Sequence, residues 1–259
     1  MQQQKKPGLS VVIITLNEEV NIGRCIQSVL QVADEIIVVD SLSADNTKAI
    51  CRSYAVTFIE QPFLGYIEQK NFALQKANHT YILSLDADEA LSEGMISFLM
   101  AEKAKGFSCD GYVFNRFNNY CGQWIKHGTY YPDKKLRLIK SGMASWGGQN
   151  PHDKLIPVDG SKVRYVKKDI LHYIYRSYDE HISQMNKFST IAANALFLRN
   201  KRPSYLKAIV NPAWAFVYAF FIRLGFLDGW NGYMIAKLQA FQTFGKYSKL
   251  IQLHKQKEP

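Results

Sequence analysis

Cysteine is scarce in this 259-residue chain, with Cys25, Cys51, Cys109 and Cys121 only. None has the CxxC or Cys/His spacing of a zinc site or a redox pair. Cys25 and Cys51 fall in apolar helical stretches, read as small core residues, and a reducing compartment suits them. Glycine is missing where a dinucleotide would need it. Thr15 to Glu19, after the first apolar run, contains no GxGxxG fingerprint, so any nucleotide must be held in another way. No signal peptide or anchor is read at the N-terminus, because Met1 to Gly8 is polar and basic and leads into a short apolar run. Nothing among the basic residues resembles a nucleic-acid module, so nucleic acid is not the expected partner.

Positive charge is present in excess. Thirty-two Lys and Arg face 22 Asp and Glu, a formal +10. The bases gather after Lys154 and in the tail at Lys246, Lys249, Lys255 and Lys257. An anionic membrane surface or a phosphorylated substrate accounts for them as well as solubility does.

Apolar periodicity sets the architecture. Residues 9–14 and Ile36 to Val39 read as buried strands, Val56 to Glu60 as a third, short strand and the apolar Tyr81 to Leu85 as a fourth. Helices lie between them: one presenting Ile22, Cys25, Ile26, Val29 and Leu30 after a cap at Asn17 or Asn21, then Thr47 to Ala55 and Gly65 to Lys76. This β-α-β-α-β-α-β rhythm predicts a parallel sheet covered on both faces, with functional residues beyond the strands' C-terminal ends. A helix to about Lys105 and a strand over Gly111 to Phe117 follow. Asn118 to Asp159 reads as loops and short strands lining a cleft rather than a second core, with Leu136 to Ile139 one of the strands. A strand or two within Val163 to Tyr175 and a helix from Tyr178 to Arg199 come next.

Ala208 to Leu227 approaches the ~20 apolar residues that cross a bilayer. Pro212, Arg223 and Gly225 instead favour helices lying at an interface or packed on the catalytic body.

Leu83-Ser84-Leu85-Asp86-Ala87-Asp88-Glu89 carries the chemistry. An extended chain points residues i and i+2 the same way, so Asp86 and Asp88 can share a ligand. Oxygen donors there suit a hard divalent cation, and a cation suits a diphosphate. Alternatively the acids simply favour a helix N-terminus before Leu91.

The chain resembles the family 2 glycosyltransferases of the GT-A fold, and within them bacterial lipopolysaccharide-core enzymes that add glucose to an inner-core heptose in β-1,4 linkage. The matching stretches are Thr15-Leu16-Asn17-Glu18-Glu19 with Asn21-Ile22, Ala33 to Ser41, Gly65 with Gln69-Lys70-Asn71, and Leu83 to Glu89. Tyr131-Pro132-Asp133, Leu136-Arg137-Leu138, His172-Tyr173 and Gly225 to Gly229 complete the set. The resemblance implies an α/β catalytic domain over 1–175, with a nucleotide-sugar half at 9–90 and an acceptor half at 91–175. A helical, membrane-associating extension follows over 176–259.

It also implies a nucleotide-sugar donor, UDP-glucose, bound by Thr15, Asn17, Glu19, Asp40, Lys70, Asp86 and Arg137. Mg²⁺ or Mn²⁺ is expected at Asp88 and His172. The acceptor, a lipopolysaccharide core or another glycolipid, is assigned to Trp124, Tyr130 and His152. Where relatives commonly carry His-Glu, this chain has His152-Asp153, so Asp153 is the base for an inverting displacement and Glu89 the alternative. The enzyme is expected in the cytoplasm, on the inner face of the cytoplasmic membrane.

Several of these residues have simpler readings. Asp40 also reads as a cap on its loop through Ser41 and Ser43, Asp153 as a loop cap, and His172 as a core histidine. Lys70 also reads as a solvated helix residue and Arg137 as a partner of Asp133, while Trp124 and Tyr130 also read as core aromatics. A transferase for another surface polysaccharide or lipid-linked sugar is the near rival. A nucleotidyltransferase and a non-catalytic carbohydrate-binding protein are the distant ones.

Overall fold

The computed structural model describes residues 6–149 and 152–257. Its first half alternates as the apolar runs require. Strands β1 (Lys6–Thr15), β2 (Glu35–Asp40), β3 (Thr57–Glu60) and β4 (His79–Asp86) are joined by α1 (Ile22–Val29), α2 (Thr47–Arg52) and α3 (Tyr66–Lys76). The four strands pair in parallel in the order β3-β2-β1-β4.

Side-chain alternation on β1 builds two cores. Val11 and Ile13 pack with Ile22, Cys25, Ile26 and Val29 of α1 on one face. Val12 packs with Ile37, Val39 and Ala73 of α3 on the other. Each fully buried aliphatic side chain contributes about 1.5–3 kcal/mol. That double burial explains why these strands read as continuous apolar runs.

Beyond β4 the sheet turns antiparallel. β8 (Asp133–Lys140) pairs with β4, and β6 (Gly111–Tyr120) pairs with β8. β11 (Val163–Tyr175) and the short β5 (Glu89–Leu91) complete the path, and β7 (Gln123–Trp124) sits on β6. Helix α4 (Glu93–Ala104) starts at Ser92, whose hydroxyl accepts the Met95 N–H. A separate antiparallel hairpin joins β9 (Ala144–Gln149) to β10 (His152–Pro157). Two local expectations need correction. Asn21 stands at the N-cap of α1, yet its side chain does not cap the helix and instead donates to Glu18. Glu89–Leu91 is a strand whose Glu89 lies opposite His172.

Two compact units form. The first runs to Arg116 and takes in Asp133–Tyr173; the second comprises Phe117–Pro132 and the chain from Ile174 onward. The second unit is built on α5 (Tyr178–Leu198), α6 (Tyr205–Val217) and α7 (Gly229–Lys257). A π-helical turn at Tyr218–Ile222 and a 3-10 turn at Gly225–Asp228 lie between α6 and α7. Ser177 and Ser204 cap α5 and α6, each accepting a backbone N–H three residues on.

Segment 117–132, read from the sequence as part of a cleft-lining loop region, contributes Tyr120 and Ile125 to a core shared with Ile235. His181 is fully buried there, with Nδ1 2.8 Å from the Tyr120 hydroxyl and Nε2 3.3 Å from that of Tyr130. Burial keeps this imidazole neutral and pulls its pKa down to about 4. Asp228 accepts the backbone N–H groups of Lys126 (3.1 Å) and His127 (2.7 Å), fixing the segment to the start of α7. Gly225 and Gly232 allow that turn to close: a Cβ on Gly232 would collide with the Gly225 carbonyl, and one on Gly225 with the Ala219 carbonyl.

Candidate active site

The parallel strands of the first unit end in Thr15, Asp40 and Asp86, so their side chains gather at one edge of the sheet. The loops after β1 and β2 are bound together. Asn17, at φ +54°, donates its N–H to Ser43 Oγ (2.8 Å) and accepts the Ala44 N–H on Oδ1 (2.8 Å). Glu19 Oε2 accepts from the Asn46 N–H (3.0 Å) and side-chain amide (2.9 Å). Asp40, 1% exposed, accepts from both the N–H and the hydroxyl of Ser43. Asn17, Glu19 and Asp40 therefore shape the loops directly, and the loop-capping role considered for Asp40 is present. The hydroxyl of Thr15 is buried with no protein partner.

A chain of alternating charges crosses the site. Lys70 Nζ lies 2.8 Å from Asp153 Oδ2 and 3.0 Å from Asp86 Oδ1. Arg137 Nη2 reaches Asp86 Oδ2 at 2.9 Å and Glu89 Oε1 at 2.6 Å. Arg116 continues to Glu89 (3.6 Å) and Asp133 (2.8 Å), and Lys135 closes on Asp133 (3.1 Å). Burial alone would raise the Asp86 pKa, but the Lys70 and Arg137 charges prevail and hold its carboxyl well below the usual range. The Arg137 guanidinium, disfavoured by burial, is held charged by Glu89 and Asp86.

Two of the simpler readings fail here: Lys70 is buried rather than solvated, and Arg137 pairs with Asp86 and Glu89 instead of Asp133. The extended backbone expected to run from Asp86 through Asp88 is interrupted. β4 ends at Asp86, and Ala87-Asp88 form a turn, so the two-residue alternation stops before Asp88. Asp86 is taken by Lys70 and Arg137, whereas Asp88 Oδ2 lies 3.2 Å from His172 Nε2.

Asp88 and His172 meet because β5 pairs with β11 and the Tyr173 N–H bonds to the Asp88 carbonyl (2.9 Å). The second carboxylate oxygen, Asp88 Oδ1, is buried without a protein partner. A bare carboxylate oxygen beside an imidazole fits a divalent cation whose remaining positions are filled by phosphate oxygens and water. Among the described residues no group of three or more His, Cys, Asp and Glu forms a complete protein cage. The residues fit an ion that binds together with a diphosphate.

Glu89, 1% exposed, spends its carboxylate on Arg137 and the Asp86 N–H. The same carboxylate also faces the Arg116 guanidinium. Asp153 sits on β10, joined to α3 through Lys70. Trp124 and Tyr130 belong to the second unit, where Trp124 stacks on Phe117 with ring centres 4.9 Å apart. The His152 side chain lies outside the described residues.

Sequence reasoning gave no role to Trp146 or Arg116. Trp146, on β9, has Lys70 Nζ 4.3 Å and the Arg137 guanidinium carbon 5.3 Å from its ring centre, a cation–π arrangement. Its indole N–H and the Gln69 amide nitrogen are also buried without protein partners. A lone tryptophan between Ser145 and Gly147 carries no motif, so only the folded hairpin reveals it.

The family model described as glycosyl transferase family 2 matches residues 10–199. The lipopolysaccharide core biosynthesis glycosyltransferase LpsC of Rhizobium meliloti (strain 1021) is 32% identical over 260 residues, 96% of this chain and 94% of that protein. An uncharacterized glycosyltransferase of Rickettsia bellii (strain RML369-C) is 32% identical over 268 residues, 97% of this chain and 88% of its own length. Among solved structures, the mannosyltransferase PcManGT from Pyrobaculum calidifontis, in complex with GDP-Man and Mn²⁺, superposes with a TM-score of 0.53 at 14% identity. That likeness covers 96% of this chain and 90% of the other, and shows the GT-A fold. The chain is a catalytic glycosyltransferase and belongs to family 2.

Proposed function

We propose that this enzyme transfers glucose from UDP-glucose to a heptose of a lipopolysaccharide inner core, or to a similar glycolipid, with inversion at the anomeric carbon. The observation that carries the donor half is the unpartnered Asp88 Oδ1 beside His172 at the exit of β4. The name of the LpsC relative supports a lipopolysaccharide-core acceptor. Trp124 and Tyr130 remain the acceptor contacts proposed from sequence, as does His152.

Asp88 and His172 would hold Mg²⁺ or Mn²⁺, which when bound neutralises charge on the departing diphosphate. Thr15, Asn17, Glu19 and Asp40 shape the nucleoside end of the site. Lys70 and Arg137 are its fixed cations, kept in place by Asp86 and Glu89. Asp153 accepts the proton of the acceptor hydroxyl, and Lys70, 2.8 Å away, orients that carboxylate. A single displacement needs one such base. Glu89, committed to Arg137, acts as an anchor.

The enzyme works in the cytoplasm, peripherally on the inner face of the cytoplasmic membrane.

The test is release of UDP from UDP-glucose with intact and delipidated core acceptors. Asp88→Ala should abolish metal-dependent turnover while the far-ultraviolet spectrum and melting stay folded. Asp153→Asn should lower kcat by roughly 10²–10⁴-fold. Unchanged turnover in Asp88→Ala would remove the metal assignment, and unchanged turnover in Asp153→Asn would remove the base. A preference for GDP- or CDP-linked sugars would overturn the donor.

A further inference from the structure

Between Glu180 and Asp228 lie 47 residues without a single acid, containing Lys187, Arg199, Lys201, Arg202, Lys207 and Arg223. The second unit as a whole carries 13 Lys and Arg against four Asp and Glu, so +9 of the chain's formal +10 resides there. One face of α6 and its π-helical continuation is bare and apolar. Leu206, Ile209, Trp214 and Phe221 recur along it at helical spacing, and Leu227 and Trp230 are exposed past the turn. Ile209 is 70% exposed, Trp214 59% and Trp230 65%. Isolated exposed apolar residues are ordinary, whereas an aromatic and aliphatic helix face in a segment that carries bases and no acid is not.

The opposite face of α6 is occupied. Ala208 and Ala219 are buried, Asn211 donates to the Tyr247 hydroxyl (2.8 Å), and Phe216 meets Tyr233 edge-on at 5.9 Å. The stretch Tyr205–Ile222 is long and apolar enough to cross a membrane. Crossing would carry its partner α7, with Lys237, Lys246 and Lys249, into hydrocarbon. A helix apolar on one side and seated on a polar helix on the other suits immersion to about 5–10 Å at the headgroup boundary. Trp214, Tyr218 and Trp230 have the amphipathic rings favoured at that depth. Lys201, Arg202, Lys207 and Arg223 complement anionic headgroups.

We propose that this face is a docking surface for a bilayer containing anionic lipid, with α6 lying flat at the headgroup level. It deepens the peripheral-location part of the preceding reading and requires neither donor nor acceptor, so its failure leaves the transferase chemistry standing.

The full chain is floated with vesicles of phosphatidylcholine alone and with about one-third phosphatidylglycerol. Binding is expected only to the anionic vesicles and should weaken at high salt. Lys201→Gln and Arg202→Gln should each weaken it about fivefold. Ile209→Glu combined with Trp214→Glu should abolish it without lowering the melting temperature, because both side chains are exposed. Turnover of a delipidated acceptor by that double variant should equal the parent's. No flotation with anionic vesicles, or equal flotation of the double variant, would overturn the proposal. Resistance to alkaline carbonate extraction would replace it with a spanning helix. A parent dimer that the double variant converts to monomer would replace it with a second copy of the chain.

Discussion

Arg137 holds two carboxylates at once, the buried Glu89 and the half-buried Asp86, a geometry that a planar guanidinium satisfies and a lysine ammonium does not. Arg137→Ala leaves Asp86 and Glu89 short of their cation and should cost about 3–5 kcal/mol in urea unfolding. Arg137→Lys should recover only part of that loss. Because the Asp86 carboxyl titrates below its ordinary value, its contribution is complete above about pH 4. That contribution is lost as pH falls through the lowered value. Asp86→Asn should therefore flatten the acid side of the stability profile below about pH 4, measured by thermal melting. At this scale the sequence was informative about identity and weak on pairing. Asp86, Asp88, Lys70, Arg137, His172 and Asp153 were all singled out, and the structure brings them to one unit. The chain turns at Ala87-Asp88 instead of staying extended, and no periodicity announces a turn inside an acidic cluster.

His181 decides how α5 responds to acid. Its folded pKa, near 4, lies below the ordinary value of 6.5, so the unfolded chain takes up a proton that the folded one refuses. Stability from this residue is complete above about pH 6.5 and falls as pH drops toward about 4, by up to ~1.4 kcal/mol per pH unit. His181→Gln should remove that slope, as read from melting temperatures at pH 7 and pH 5. The turn between α6 and α7 offers a second test. Gly232→Ala forces a methyl against the Gly225 carbonyl and should destabilise by several kcal/mol in the same unfolding experiment. Elements of the parallel half were legible because β1, β2 and β4 are buried on both faces, which leaves an uninterrupted apolar run. The β9–β10 hairpin and α7 were not. Their residues alternate polar and apolar groups too irregularly, and their positions depend on distant partners such as Asn71, which bonds to Trp146 on both its N–H and its carbonyl.

Across the molecule, charge and core are divided differently. The first unit is nearly neutral, +1 overall, and holds the charge ladder, while the second holds almost all of the excess positive charge. Total composition reported only the sum. The allocation became visible when 117–132 was found to fold with the C-terminal helices, an association between segments about 50 residues apart in sequence that no local signal encodes.

Among the described residues, the five buried side-chain polar atoms without protein partners, on Thr15, Gln69, Asp88, Arg137 and Trp146, all fall within the first unit. Each forgoes about 1–3 kcal/mol of solvation, so the resting enzyme is less robust than its packing would allow. Thr15→Val keeps the shape and deletes the orphaned hydroxyl. It should raise the melting temperature of the resting protein while shrinking the further rise produced by nucleotide sugar. Selection for heat tolerance alone would erode this edge of the sheet first, and thermostable variants found without an activity screen should carry their changes there.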